Sequence, residues 1–262
     1  MTGKLMISRR GDTEHWTLAD PATRNALSDE LVAALRQACE RAAADSSLRF
    51  VVLQGSGGAF CAGGSLGAFA AAIGRALPEG EADPLLAMNA GFGNLLNMLC
   101  ALPQMLLVAV DGPAMGGGLG LVCCADWVLA TPVAVFAAPE VTLGVVPAQI
   151  AAVVHRRLGD RVARQLLLSG DRLSADQALA LGLADELAAD LQAAVSRRIE
   201  RLRRAAPGAV AHTKALFFML NQPPAPELPA QAAIKFVANL RSAEAAEGLA
   251  AFAAKRKPGW AA

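Results

Sequence analysis

Two apolar runs in this chain empty straight into glycine. RFVVLQ at 49–54 is followed by GSGGAFCAGGSLGAF at 55–69, and MLLVAV at 105–110 by DGPAMGGGLGLV at 111–122. A loop of this kind leaves backbone N–H groups unshielded by side chains and free to adopt unusual φ. The apolar run after Gly118 predicts that the second loop also opens a helix, whose N-terminus carries positive partial charge. Two N–H donors converging from two such loops would form an oxyanion hole, with each donor lowering a barrier by about 3 to 4 kcal/mol. The competing reading is structural, since glycine also serves tight turns and close packing of helix on sheet. A dinucleotide loop fits poorly, because the GxGxxG spacing fails and no acidic residue ends a following strand at the required distance.

One carboxylate stands in a context that suits proton transfer. Glu140, in APEVTLG, lies among Val, Phe, Ala and Leu, where burial would raise its pKa towards the range useful for a general acid or base. The alternative is an exposed glutamate in a turn. His15, His155 and His212 are scattered and read as packed or surface residues, and Asp126 reads as the anchor of a strand start. The five cysteines, Cys39, Cys61, Cys100, Cys123 and Cys124, show no metal-ligand spacing. They suit reduced, buried thiols in a cytoplasmic protein, and no metal site is expected.

The elements that must position these groups can be read coarsely. Leu5 to Ser8 and His15 to Leu18, around Gly11 and Asp12, predict a hairpin. Ser28 predicts the cap of a helix with Leu31, Leu35, Ala38 and Ala42 on its buried stripe. The runs at 49–55, 105–112 and 126–131 are short and continuously apolar, as strands buried on both faces are, and helices between them argue for a parallel sheet in an α/β fold. A helix is expected over PLLAMNAGFGNLLNMLCALP, with Leu85, Met88, Phe92, Leu95, Leu96 and Leu99 on one face, after a less patterned stretch at 70–84. Beyond about residue 149 the chain reads as almost wholly helical. Ser174 and Gln177 predict a capping box, amphipathic segments run over 185–205 and 228–254, and Pro223, Pro224, Pro226 and Pro229 mark the loop before a last helix whose apolar face includes Ile234, Phe236, Val237 and Leu240.

Bulk properties narrow the partners. With 262 residues and 54% hydrophobic content the chain can bury a large core. Its 24 basic and 23 acidic residues leave a net charge of +1, so no field favours nucleic acid or an anionic membrane. No segment approaches the roughly 20 apolar residues that span a bilayer, and no signal core precedes the first strand. A small organic ligand is the better expectation.

Five segments in order, DPATRNALS (20–28), AFCAGGSL (59–66), AVDGPAMGGGLGLVCCADWVLA (109–130), FAAPEVTLGVVP (136–147) and SADQALALGLADEL (174–187), resemble the crotonase superfamily, the enoyl-CoA hydratase/isomerase family, over about residues 5–250. The resemblance implies a spiral of ββα units over 1–190 and a helical C-terminal trimerisation region over 191–262, assembled as homotrimers or dimers of trimers. It implies an acyl-CoA substrate, coenzyme A being part of that substrate and no further cofactor being needed. The oxyanion donors would be Gly64 and Gly117, and Ala62, Gly63, Gly64, Ser65, Leu66 and Gly117 would bind substrate and CoA, largely through backbone atoms. Ser65 departs from the commoner acidic residue there.

Typical family hydratases share the acid/base work between two glutamates. One falls at Glu140; the other falls at Gly120, which carries no carboxylate. Either Glu140 does both jobs or water fills the vacated volume. The expected function is therefore a 2-enoyl-CoA hydratase, with a 3-enoyl-CoA to 2-enoyl-CoA isomerase and a non-catalytic acyl-CoA-binding protein as alternatives. The segment PAQIAAVVHRRLG resembles hydratases of branched or carboxylated acyl chains. Ala148 stands where dienoyl-CoA isomerases carry an aspartate, which argues against that activity.

Overall fold

β1 (Leu5–Arg10) and β2 (Thr13–Leu18) form the expected hairpin, with Ile7 opposite Trp16. β2 pairs in parallel with β3 (Phe50–Gly55), and β3 with β4 (Met105–Val110). α1 (Asp29–Ala44) lies between β2 and β3 in the chain, and α2 (Pro84–Ala101) between β3 and β4. β6 (Trp127–Ala130) and the two-residue β9 (Glu186–Leu187) complete a six-stranded sheet of order β1-β2-β3-β4-β6-β9. A second sheet of three strands joins β5 (Pro113–Met115), β7 (Val135–Ala137) and β8 (Arg172–Ser174). β4 and β5 therefore lie in different sheets before α3 (Gly117–Cys123), as do β6 and β7 before α4 (Ile150–Ser169). This alternation is the spiral of ββα units. The computed structural model describes residues 4–64, 83–220 and 228–259; Ser65, Leu66, nearly all of the 70–84 stretch, Pro223, Pro224 and Pro226 lie outside them.

The continuous apolar runs are explained by what covers each face of the sheet. Val51, Leu53, Leu106, Val108 and Val110 point into the main core beneath α1 and α2. The alternate residues Phe50, Val52, Leu107, Ala109 and Leu129 pack beneath α6 (Leu191–Leu202), against its Ala194, Val195 and Ile199. Side chains alternate across a strand, so a strand covered on both faces must be apolar throughout. Asp126 anchors this layer: its Oδ2 accepts from Leu106 N at 2.8 Å and is ion-paired with Lys214 on α7 (Pro207–Leu220).

Helix ends follow the sequence signals. Ser28 accepts from Leu31 N at the start of α1, and Leu31, Leu35, Ala38 and Ala42 are buried. Ser174 and Gln177 make both halves of a capping box on α5 (Ala175–Ala180). Ser174→Ala is expected to lower stability by about 1 kcal/mol, measured as a lower urea midpoint at unchanged slope.

The C-terminal segment departs from expectation in two ways. The apolar stretch 228–254 is two helices, α8 (Leu228–Leu240) and α9 (Ala243–Ala253), because Ser242 adopts extended backbone and caps the second by accepting from Ala245 N. On α8, Phe236, Val237 and Leu240 are buried against Leu85 of α2 and Val145, whereas Ile234 is 48% exposed. The apolar face read from the sequence is thus wider than the side packed in this chain, and Ile234 lies on its exposed part.

Candidate functional site

The two glycine loops are tied to each other. Phe60 N and Cys61 N both donate to Pro113 O at 3.0 Å, and Met115 N donates back to Cys61 O at 2.9 Å, so the loop after β3 runs beside β5 as a short parallel bridge. This places Gly63 against the second loop: a Cβ on it would lie 2.8 Å from Met115 O and 3.6 Å from Gly117 N. Gly117 begins α3, and Leu27 and the Phe92 ring close over it, at 2.5 and 3.2 Å from where its Cβ would be. Gly118 has a different reason to be small, since its Cβ would strike Cys61 O at 2.7 Å.

A third segment fixes the first loop from behind. Asn25, fully buried at φ 57°, donates from Nδ2 to Ser56 O at 2.9 Å and to Ala59 O at 2.8 Å, while its Oδ1 accepts from Asp20 N at 2.9 Å. Leu27 N then donates to Gly63 O at 2.8 Å. Asparagine suits the position because it tolerates left-handed backbone and carries both donor and acceptor. Asn25→Ala is expected to strand the buried carbonyls of Ser56 and Ala59 at about 2 to 4 kcal/mol, read as a lower melting temperature. The residue was missed in the sequence, although an asparagine directly after a Pro-initiated turn is a usable signal.

Glu140 is brought to the same place by the 3-10 turn Pro139–Leu143 that follows β7. Gly116 makes room for it: its φ of 51° lets its N–H reach Ala137 O at 2.8 Å, and a Cβ there would sit 2.8 Å from Glu140 Oε1. Glu140 Oε2 is buried without a hydrogen-bond partner among the described residues. Desolvation of that carboxyl raises its pKa from 4.5 to about 7. Ala62, Gly63, Gly64, Gly117 and Glu140 all line one cavity of about 550 Å³. Its walls are mostly apolar, with Phe92, Val145, Ile150 and Phe236 among them, and Arg24 and Arg172 supply basic side chains.

Gly120 is elsewhere. It is buried within α3 and does not line the cavity; a Cβ on it would meet Ile150 Cγ2 at 2.6 Å and Leu96 Cδ1 at 3.6 Å. The expectation of added space at this position is therefore corrected: the side chain of Ile150, from the first turn of α4, occupies it. His155, whose Nε2 lies 3.8 Å from Asp160 Oδ1 on the exposed side of α4, is outside the cavity, as are His15 and His212. No cluster of His, Cys, Asp and Glu able to hold a metal occurs among the described residues.

Residues 14–262 match the family model described as enoyl-CoA hydratase/isomerase. The chain belongs to the enoyl-CoA hydratase/isomerase family. The relative named "Probable enoyl-CoA hydratase EchA14" in Mycobacterium tuberculosis is 40% identical over 176 residues, 66% of this chain and 65% of its own length. The carnitinyl-CoA dehydratase of Proteus mirabilis is 30% identical over 268 residues, 99% of each chain. An enoyl-CoA hydratase/isomerase from Marinobacter aquaeolei, whose crystal structure is solved, is 39% identical with a TM-score of 0.78 over 99% of each chain. The spiral just described is thus the crotonase fold. In this enoyl-CoA hydratase/isomerase family member, no helix among the described residues is long and apolar enough to cross a membrane.

Proposed function

We propose that this family member hydrates a 2-enoyl-CoA. The carrying observation is the union in one cavity of a buried carboxyl with a pKa of about 7 and the two loops that bear Gly64 and Gly117. No backbone carbonyl of the described residues takes the N–H of either glycine. With no such partner among those residues, both are read as donors to a thioester oxygen, and a preorganised pair of this kind stabilises the enolate as it forms.

Glu140, ionised, takes a proton from water as the water oxygen attacks C3. The electron pair of the C2–C3 double bond moves towards the thioester, whose oxygen is held by the two N–H groups. The protonated Glu140 then delivers a proton to C2, and the product is the 3-hydroxyacyl-CoA. Atoms and charge balance with one carboxyl, and no further cofactor is needed. Ala62, Gly63, Gly64, Ser65 and Leu66 would pass the pantetheine chain along their backbone, and Arg24 and Arg172 supply positive charge for the nucleotide phosphates. A branched or carboxylated acyl chain is the substrate class favoured by the segment after Glu140. A homotrimer or dimer of trimers in the cytoplasm completes the reading; the unpaired thiols of all five cysteines suit a reducing compartment.

One observation favours a second reaction. With Ile150 filling the space that a second carboxyl would need, Glu140 is left to shuttle a proton from C2 to C4 of a 3-enoyl-CoA, which needs a single base. A panel of 2-enoyl-CoA and 3-enoyl-CoA esters in heavy-oxygen water, read by mass spectrometry, separates the two. Hydration puts one heavy oxygen into product, whereas isomerisation puts none. Absence of both reactions with retained acyl-CoA binding would leave the non-catalytic binding protein.

A further inference from the structure

The wall of the cavity contains a hydrogen-bonded polar pair that the chemistry above leaves unused. Gln149, 8% exposed in the run VVPAQIAAVV, donates from Nε2 to Pro229 O at 2.9 Å and to Asn89 Oδ1 at 2.7 Å. The proline carbonyl can only accept, so it fixes which end of the Gln149 amide faces it. That choice in turn fixes Asn89, which must offer Oδ1 to Gln149 and turn its Nδ2 away. Both residues line the cavity, and Asn89 Nδ2 has no acceptor among the described residues. Asn89 is half-buried, so a ligand that brings an acceptor to this donor replaces water there with a fixed hydrogen bond. The arrangement is built for the purpose, because Gln149 reaches it only across a glycine: a Cβ on Gly93 would lie 2.0 Å from Gln149 Oε1.

Position says which part of a ligand the donor meets. Phe92 packs its ring against Gly117, and Asn89 lies three residues earlier on α2. Three residues of helix rise about 4.5 Å, a length that three or four extended covalent bonds cover. An acyl chain running from the Gly117 end along α2 thus brings its fourth or fifth carbon beside Asn89. We infer that Asn89, oriented by Gln149 and Pro229, selects acyl chains that carry an oxygen acceptor near carbon 5. This inference rests on the acyl-CoA reading of the cavity, but it does not depend on which reaction follows.

The test therefore uses saturated esters that no hydratase can turn over: hexanoyl-CoA, 5-hydroxyhexanoyl-CoA, 5-oxohexanoyl-CoA and the mono-CoA ester of adipate, with binding measured by calorimetry. At least one oxygenated ester is expected to bind about fivefold or more tighter than hexanoyl-CoA. Preference for the hydroxy or oxo ester identifies a neutral acceptor, and preference for the adipate ester a carboxylate; each supports the assignment. Asn89→Leu, which keeps the branched skeleton and removes the donor, should abolish the preference while hexanoyl-CoA still binds, and Asn89→Gln, which keeps a donor, should restore part of it. Equal binding of all four esters by the unmodified protein overturns the inference, as does a preference that survives in Asn89→Leu. Loss of hexanoyl-CoA binding altogether in the unmodified protein would instead refute the acyl-CoA reading itself.

Discussion

Glu140→Gln is expected to lose at least a thousandfold in kcat for 2-enoyl-CoA while unfolding at a higher temperature than the unmodified protein at pH 8. Both effects come from one cause, the cost of an ionised carboxyl where Oε2 has no partner among the described residues. In the folded chain this carboxyl holds its proton up to a pH of about 7, against 4.5 when unfolded. Below pH 4.5 the group is protonated in both states and contributes nothing to the difference. As pH rises through the interval the unfolded chain releases the proton first, so stability falls, and above pH 7 the full penalty of about 3 kcal/mol applies. Glutamine removes the penalty and keeps the shape. The melting difference should therefore grow from near zero at pH 4 to its maximum above pH 7. Activity falls because general acid–base catalysis of this kind contributes up to about 10⁴-fold. Affinity for a saturated acyl-CoA should be retained, since the backbone donors and the loops that carry them are untouched. A variant that melts identically at all pH values, or that hydrates normally, would contradict the assignment.

Gly120→Glu is expected to be severely destabilising and to add no activity. Its Cβ would enter the space of Ile150 Cγ2 at 2.6 Å, inside a helix whose every residue is buried. Overpacking of this kind costs about 1 to 3 kcal/mol, and a buried carboxyl without a partner adds several more, about 4 to 6 kcal/mol in all. The measurement is a denaturant titration, in which the midpoint falls sharply. Gly120→Glu combined with Ile150→Ala should recover part of the loss, because the alanine vacates the contact. Equal destabilisation by the single and double variants would show that Ile150 is not what fills the position.

These two residues also show what could be read from the chain alone. β3 and β4 were legible because a strand covered on both faces must be apolar at every position, and the helices that cover them leave that mark in FVVL and LLVAV. The capping residues Ser28 and Ser174 were legible because capping is local. By contrast, the consequence of Gly120 depends on Ile150, which folds back from the next helix, and nothing in the spacing of the glycines reports that contact. β5, β7 and β8 are three residues each, too short to show a period, so the small sheet that holds the second loop was not foreseen. Asn25 and Gln149 are buried polar residues in turn and apolar contexts; their identity was visible, but their partners, Ala59 and Pro229 among them, are brought in only by the fold.

If a single buried glutamate is the acid/base group, the pH dependence of kcat/KM for a 2-enoyl-CoA carries its titration. That ratio reports the ionisation of groups in the free enzyme. With Glu140 required as the carboxylate, kcat/KM should rise tenfold per pH unit on the acid side and level off above an inflection near 7. A profile that is flat from about pH 5 to 9, or that bends where an ordinary exposed carboxylate titrates, at about 4.3, would contradict it.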